Sequence, residues 1–427
     1  MFRRIVTTGA VAALVLGLTA APTPAAPPTV DNQYAWVLDA SSRLPIPAAE
    51  LQAHLDPPLL AAIGGADGFN QAFQQIGRLT SGPLISRSAT ELRRVVSSAT
   101  AGDLLATLDV DPAGLLSGLR FAPYLAAPTS WAQVDATLRT LAPRVSFAAA
   151  RVSPAGCSLV HGVDPATARP LGSAFKLYVL GALAREIHDG RLSWDTELAL
   201  NPAWKSLPSG VLQDQPDGTI YTLAQYADYM ISISDNTAAD HLLHEVGRDQ
   251  VRRQFGLFGN TAPNAPVLST RELFALKGWH YPAAATAYAA LPAPLRSLAL
   301  PALGRVPRTA IQAWTQPEMI DQVEWFGSPL AMCRAFAGLW ALHDPQVGRA
   351  LTVNDGGIGM PAAQFPTVWF KGGSEPGVLT LNYLARTADG TLVTASLMLS
   401  DPAHPLPETT IVPQAEALLR GALQLAS

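Results

Sequence analysis

Gly172-Ser173-Ala174-Phe175-Lys176-Leu177-Tyr178-Val179-Leu180 is the stretch on which the reading of the fold turns. From Lys176 onward the apolar residues Leu177, Val179, Leu180, Leu183 and Ile187 cover most sides of a helical projection, and a helix of that kind is buried. Residues three apart on a helix are surface neighbours, so the Ser173 hydroxyl and the Lys176 amine meet at its N-terminal end. A serine alcohol is a weak nucleophile until a base takes its proton, and an amine stripped of water has a lowered pKa and can be that base. A lone Ser-x-x-Lys also fits a helix-start serine beside an unrelated lysine. Composition sharpens the choice: of 29 basic residues only Lys176, Lys205, Lys277 and Lys371 are lysines. Arginine does not release its proton in a protein, so each retained lysine is a place to look for proton chemistry.

Working outward, Trp131 to Leu141 has helical periodicity, and Val145 to Val152 and Cys157 to Val163 read as strands around a Pro-Ala-Gly turn. Far downstream, Val378 to Thr387 and Thr391 to Ser400 flank an Ala-Asp-Gly turn as a hairpin, and Ala415 to Leu425 closes as a helix. Helix, strands, helical middle, strands, helix predicts an α+β domain over 131–427: an antiparallel sheet built from both ends of the segment around a helical subdomain. Residues 31–124 read as a smaller α+β domain, helical over Tyr34 to Leu38 and Leu51 to Ile63, with Pro57-Pro58 as a break, then extended over Glu91 to Ser97 and Leu104 to Val110. It holds no clustered Ser/His/Asp or Cys/His set, so a structural or binding role is expected. Leu125 to Ser130 is the linker. Arg3 and Arg4, an uncharged run Ile5 to Ala21 and a Pro/Ala/Thr segment read as a signal peptide over 1–28. It predicts a secreted or cell-envelope protein with no stable membrane span after cleavage.

The 427 residues are 48% hydrophobic and 15% charged, against a charged share of about 25% in ordinary domains, which excludes disorder as the dominant state. A net charge of -4 offers no footprint for nucleic acid. Two cysteines are too few for a disulfide scaffold or a four-thiolate metal site, although Cys157 and Cys333 could pair in an oxidising compartment. His241 and His244, followed by Glu245, lack the His-Glu-x-x-His order of a zinc helix and are expected on a surface face. No metal or cofactor is predicted.

Two further stretches complete a pattern. Ser234-Asp235-Asn236 lies between helical segments, Leu223 to Ile233 and Thr237 to Val246, and Lys371-Gly372-Gly373-Ser374 ends the apolar run Val368 to Phe370. With Ser173 and Lys176, in this order, they resemble the penicillin-interacting serine enzymes, most closely class A β-lactamases, whose motifs are Ser-x-x-Lys, Ser-Asp-Asn and Lys-Thr-Gly. The likeness extends to Asp189-Gly190-Arg191-Leu192-Ser193-Trp194-Asp195 and Asn236 through Leu243, and covers about 131–427. The two-domain plan is similar to actinobacterial β-lactamase-like proteins related to one encoded with clavulanic acid biosynthesis, whose leading domain is steroid-isomerase-like.

The resemblance implies Ser173 as acylated nucleophile and Lys176 as its base or proton relay. It implies Ser234 as proton shuttle to the leaving group, Asn236 as a holder of the substrate amide, and Lys371 as the cation that orients Ser234 and a substrate carboxylate. The backbone N–H groups of Ser173 and Ser374 would form the oxyanion hole, and Gly373, a substrate-binding residue, would let the backbone approach the ligand closely.

There are two departures from the family pattern. Gly372 stands where a hydroxyl residue usually does, though the Ser374 hydroxyl could substitute. Glu-x-x-Leu-Asn, whose glutamate activates the deacylating water, is missing between Asn236 and Lys371. The glutamates there, Glu245, Glu272, Glu318 and Glu324, read as helical, solvated or capping residues. The tract Pro282 to Pro317 reads either as an extended lid or as a helical insertion. The expectation is a secreted serine hydrolase working through an acyl-enzyme on amides or esters, with β-lactams the leading ligand class. A D-alanyl carboxypeptidase or esterase is the enzymatic alternative. A binding protein for β-lactams or cell-wall peptide, acylated without turnover, is the other.

Overall fold

The computed structural model describes residues 29–260 and 262–427; the expected signal peptide lies outside them. Four helices, α1 (Val30–Ala40), α2 (Ala48–His54), α3 (Pro57–Ala62) and α4 (Gly65–Ile76), precede an antiparallel meander of β1 (Leu79–Arg87), β2 (Glu91–Ser98), β3 (Gly102–Val110) and β4 (Leu116–Pro123). This segment closes on its own apolar cluster, with Trp36, Val37, Leu51, Phe69 and Phe73 from the helices against Leu92, Val96 and Leu108 from the sheet. β1 carries Gly82-Pro83 and its register slips there, which is why no alternation marks it as a strand.

After α5 (Trp131–Leu141) come β5 (Arg144–Ser153), β6 (Gly156–Val163), the short β7 (Arg169–Pro170) and α6 (Lys176–His188). The helical middle holds a two-stranded ribbon, β8 (Glu197–Ala199) with β9 (Ile220–Thr222), then α7 (Leu223–Ser232), α8 (Asn236–Val246), α9 (Arg248–Leu257), α10 (Thr270–Gly278), α11 (Ala283–Ala290) and α12 (Ala293–Leu303). The chain returns through β10 (Phe326–Gly327), α13 (Pro329–Trp340), α14 (Pro345–Thr352), β11 (Thr367–Glu375), β12 (Val378–Arg386), β13 (Leu392–Ser400) and α15 (Glu408–Ala426). The main sheet runs β11-β12-β13-β5-β6, entirely antiparallel, with Leu397 of β13 opposite Phe147 of β5. Both ends of the segment therefore meet in one sheet, the mixed α/β architecture that the element order predicts.

Alternation explains how the sheet is covered on two faces. Leu379, Leu381, Tyr383 and Ala385 of β12 join the cluster under α5 and α15, whereas Leu384, one step out of phase, joins the cluster around α6 and α13. In α6 the side chains of Leu177, Tyr178, Val179, Leu180 and Leu183 are all fully buried, so this is the helix around which the domain packs. Pro282 to Pro317 carries two helices, α11 and α12: Pro282, Pro292 and Pro294 stand at their starts, where the missing N–H costs nothing, while Pro301 lies inside the last turn of α12.

Cys157 of β6 and Cys333 of α13 form a disulfide across 176 residues of sequence, tying a sheet edge to a covering helix. Arg93 of β2 donates from its guanidinium to Asp355 at 2.7 Å, and Tyr124, just after β4, donates to the Gly359 carbonyl at 3.1 Å. Arg420 of α15 lies 3.7 Å over the Tyr124 ring and donates to the Leu125 carbonyl. Those contacts hold the loop after α14. Among the described residues no helix is long and apolar enough to cross a membrane.

Candidate active site

Ser173 sits in a single 3-10 turn, Gly172–Phe175, that runs straight into α6, a tighter start than the plain α-helix predicted. The turn is clamped from outside. The Leu171 N–H donates to the Trp325 carbonyl at 2.8 Å, Thr380 Oγ1 donates to the Pro170 carbonyl at 3.1 Å, and Phe175 stacks on Trp325 at 3.8 Å. Gly172 has φ +48°, a left-handed conformation that a side chain disfavours.

Lys176 is fully buried, and its Nζ lies 3.1 Å from Ser173 Oγ, 3.1 Å from Ser234 Oγ, 2.6 Å from the Ser234 carbonyl and 2.6 Å from Asn236 Oδ1. No carboxylate is among these partners. Burial holds the Lys176 amine well below the ordinary lysine range, and the nearby Lys371 charge pushes the same way. Lys371 Nζ donates to Ser234 Oγ at 3.0 Å and to the Gly372 carbonyl at 2.7 Å, and burial brings it down to about 7. Ser234 Oγ therefore bridges two buried amines, and the charge on Lys371 disfavours protonation of Lys176. A neutral amine beside a serine hydroxyl can accept its proton, and a hydroxyl between two amines can pass one on.

Ser234 reaches this place in the left-handed region, φ 58°, a conformation that costs a non-glycine residue roughly 1–2 kcal/mol. The surrounding contacts over-determine it. Its carbonyl accepts from Lys176 Nζ and Ser209 Oγ, and the Asp235 N–H donates to the Tyr229 carbonyl. Asp235 Oδ1 caps α8 through the Ala238 N–H, while Oδ2 accepts from Val211 N at 2.7 Å and Leu212 N at 2.9 Å. The capping role is legible in Ser-Asp-Asn; the second, which pins the 209–214 loop over the site, is not. Asn236 is engaged at both ends, its Oδ1 by Lys176 and its Nδ2 by the Leu207 carbonyl at 3.1 Å.

Gly373 brings β11 against the turn. A Cβ there would stand 2.2 Å from the Leu171 carbonyl oxygen, 2.5 Å from Ser173 N and 2.8 Å from Ala174 N, so only glycine lets the two backbones approach. Ser173, Ser209 and Ser374 line two cavities, of about 310 Å3 and about 240 Å3, on either side of this approach. Gly373→Ala is expected to push Ser173 N away from Ser374 and to lower the acylation rate on the order of 10²-fold, measured by stopped-flow burst amplitude.

The smaller cavity also meets Glu324, which differs from its expected solvated place. It is buried, and its Oε2 accepts from Gly172 N at 2.9 Å and Trp325 N at 3.0 Å. Burial, with Glu375 nearby, raises Glu324 to about 8. Glu375 is ion-paired with the fully buried Lys277. Because the unfolded carboxyl lets go of its proton near 4.5 and the folded one near 8, the stability that this group contributes is full below about 4.5 and lost as pH rises through about 8. Glu324→Gln, which stays neutral, should match the parent's melting temperature near pH 5 and exceed it near pH 9; an offset that does not change with pH contradicts this. Glu272 does cap, in a box with Ser269 at the start of α10, and pairs with Arg248.

His241 is buried, not on a surface face: its Nδ1 donates to the Thr237 carbonyl and its Nε2 accepts from the Asn201 N–H, with Tyr226 stacked at 5.3 Å. That network fixes the neutral tautomer and packs α7 on α8. His244, one turn on, is exposed and lies against Trp204. Among the described residues no three His, Cys, Asp or Glu side chains are grouped to hold a metal ion.

The chain gave no match among curated proteins. Solved structures that resemble it include a β-lactamase from Sphaerobacter thermophilus, 20% identical, covering 70% of this chain and 98% of that one at a TM-score of 0.49. A β-lactamase from Chitinophaga pinensis is 17% identical, covering 69% and 97% at 0.47. A PBP-A mutant in an acyl-enzyme complex with penicillin G is 16% identical, covering 69% and 94% at 0.46. Over residues 158–279, which include Ser173, Lys176 and Ser234 to Asn236 but stop short of Lys371, the chain matches the sequence model of the β-lactamase enzyme family, and over that span it is β-lactamase-like.

Proposed function

We propose that this protein is an exported serine hydrolase that forms an acyl-enzyme at Ser173 with amide or ester substrates. One observation carries the reading: two buried amines flank one hydroxyl, and the deeper amine is also within hydrogen-bond distance of Ser173 Oγ. In the proposed sequence, Lys176 takes the Ser173 proton as Oγ bonds to the acyl carbon. Ser234, held by Lys371, delivers a proton to the leaving nitrogen or oxygen as its bond to carbon breaks. The N–H groups of Ser173 and Ser374 face the developing oxyanion. Water then cleaves the acyl ester, releasing the acid and restoring Ser173. Asn236 serves by positioning Lys176, with its amide a secondary contact for substrate. β-Lactams and simple esters share this chemistry, as does a D-alanyl peptide, and the narrower likeness to the clavulanic-acid-related two-domain proteins belongs to this reading.

Slow deacylation is a second reading, favoured by Glu324: one of its oxygens is committed to two backbone N–H groups, and burial raises its carboxyl well above the usual carboxylate range, so it is not a free base poised on water. Incubation with a chromogenic cephalosporin and with an aryl ester, followed by intact mass, separates the two. Continuous turnover supports the hydrolase, a lasting adduct of one acyl group supports the slow acyl-enzyme, and neither signal overturns both.

A further inference from the structure

Alternation along β2 and β3 turns Leu92, Val96 and Leu108 toward α1 to α4, while Val95 and Leu105 lie on the opposite face, in phase with Arg93. The segment 353–360, which follows α14, lies against that second face. Gly359 has φ +62°, and a Cβ there would stand 2.8 Å from Tyr124 Cε2 and 3.3 Å from Leu105 Cδ2. Asp355 Oδ2 accepts from Arg93 at 2.7 Å, and the two side chains are only 13% and 20% accessible, so solvent and salt screen this pair less than a surface one. The other oxygen, Oδ1, accepts from the Gly357 N–H at 3.1 Å. The residues on either side of Asp355 belong to the cleft. Asn354 lines the cavity of about 310 Å3 with Ser173, Ser234 and Phe370. Its Nδ2 donates to the Ser232 carbonyl at 2.7 Å, and its Oδ1 accepts from the Gly356 N–H at 2.8 Å. Gly356 presses on the aromatic wall, since a Cβ there would stand 2.6 Å from Phe370 Cζ. One buried ion pair therefore sits between two residues that shape the cavity, although Arg93 itself does not line it.

We propose that Arg93 is a positioning residue for the leaving-group side of the cleft: through Asp355 it sets Asn354 and the Phe370 ring, and with them the size of alcohol or amine that the site accepts. This rests on the acyl-serine reading, which puts the leaving group beside Ser234, the hydroxyl that hands it a proton. Ser234 lines the cavity of about 310 Å3 and not the smaller one, so the leaving group meets the wall that Asn354 and Phe370 form. A site holds a ligand well only when the residues behind its walls are themselves fixed. Here the fixing contact comes from β2, some 260 residues away in sequence from the loop it holds (|i−j| = 262).

The test uses the full-length protein with phenyl acetate and 2-naphthyl acetate. Both give the same acetyl-enzyme and differ only in the alcohol released, so the ratio of their second-order rate constants for alcohol release in the first turnover isolates the leaving-group wall, whether the acetyl-enzyme is then hydrolysed fast or slowly. Arg93→Ala is expected to lower the naphthyl-to-phenyl ratio about tenfold, while labelling of Ser173 by a small fluorophosphonate stays within about twofold of the parent. Asp355→Asn, whose amide oxygen can still accept from Gly357, is expected to lower the ratio in the same way, and the double variant no further than either single one. Arg93→Lys is expected to restore most of the ratio, because the pair is a single N–H to Oδ2 that an ammonium can also make. An Arg93→Ala ratio that is unchanged or raised overturns the proposal. So does an equal slowing of both esters and of the fluorophosphonate, which is what a general loosening of the fold produces. If the parent releases no alcohol and its Ser173 stays unlabelled, the acyl-serine reading fails and the proposal with it; a labelled parent with an unchanged ratio sinks the proposal alone.

Discussion

Ser173→Ala is expected to lose both turnover and covalent adduct, a fall on the order of 10⁴ to 10⁶ in kcat. The hydroxyl is the one nucleophilic atom shared by both cavities and the Lys176 amine, and the turn that holds it is fixed by Leu171, Thr380 and Phe175 contacts that the substitution leaves intact. The variant should therefore fold like the parent. Circular dichroism with ester hydrolysis and intact mass checks it, and a residual adduct of parent stoichiometry would assign the nucleophile elsewhere.

Lys176→Arg is expected to cut acylation by about 10³-fold or more, since proton transfer from serine is lost and a guanidinium does not accept it at any accessible pH. It also forces a permanent charge next to Lys371 in a fully buried place with no carboxylate partner, so the melting temperature should fall. Lys176→Met separates the two effects: it fills similar space without charge, keeps the fold, and should be as inactive as the arginine variant. In the parent, acylation should persist at neutral pH, where an ordinary lysine is almost wholly protonated, and decline as acid protonates the Lys176–Lys371 pair. A Lys176→Met variant that acylates at the parent rate would remove the amine from the chemistry.

How much of this was legible beforehand depended on range. The helix over Trp131–Leu141, the hairpin of β12 and β13 and the buried character of α6 follow from periodicity and turn residues alone, because each is decided by neighbours in sequence. The meeting of Ser173, Lys176, Ser234 and Lys371 was expected from motif order; their common surroundings were not. Glu324, Glu375 and Lys277 come from three distant segments, and nothing local marks any of them as buried together. The same holds for the Phe370 ring over Gly372, which turns a missing hydroxyl into an apolar wall. His241 is buried rather than exposed because a spacing that does not fit zinc says nothing about burial: its ring is occupied by Thr237 and Asn201.

The proposed mechanism turns on a neutral Lys176 activating Ser173, and peptide mapping after brief treatment with a small fluorophosphonate reads that out. A single label on Ser173, formed far faster than on heat-unfolded protein and slowed as pH falls, is the predicted result. A label on another residue, or Ser173 reacting no faster folded than unfolded, contradicts it.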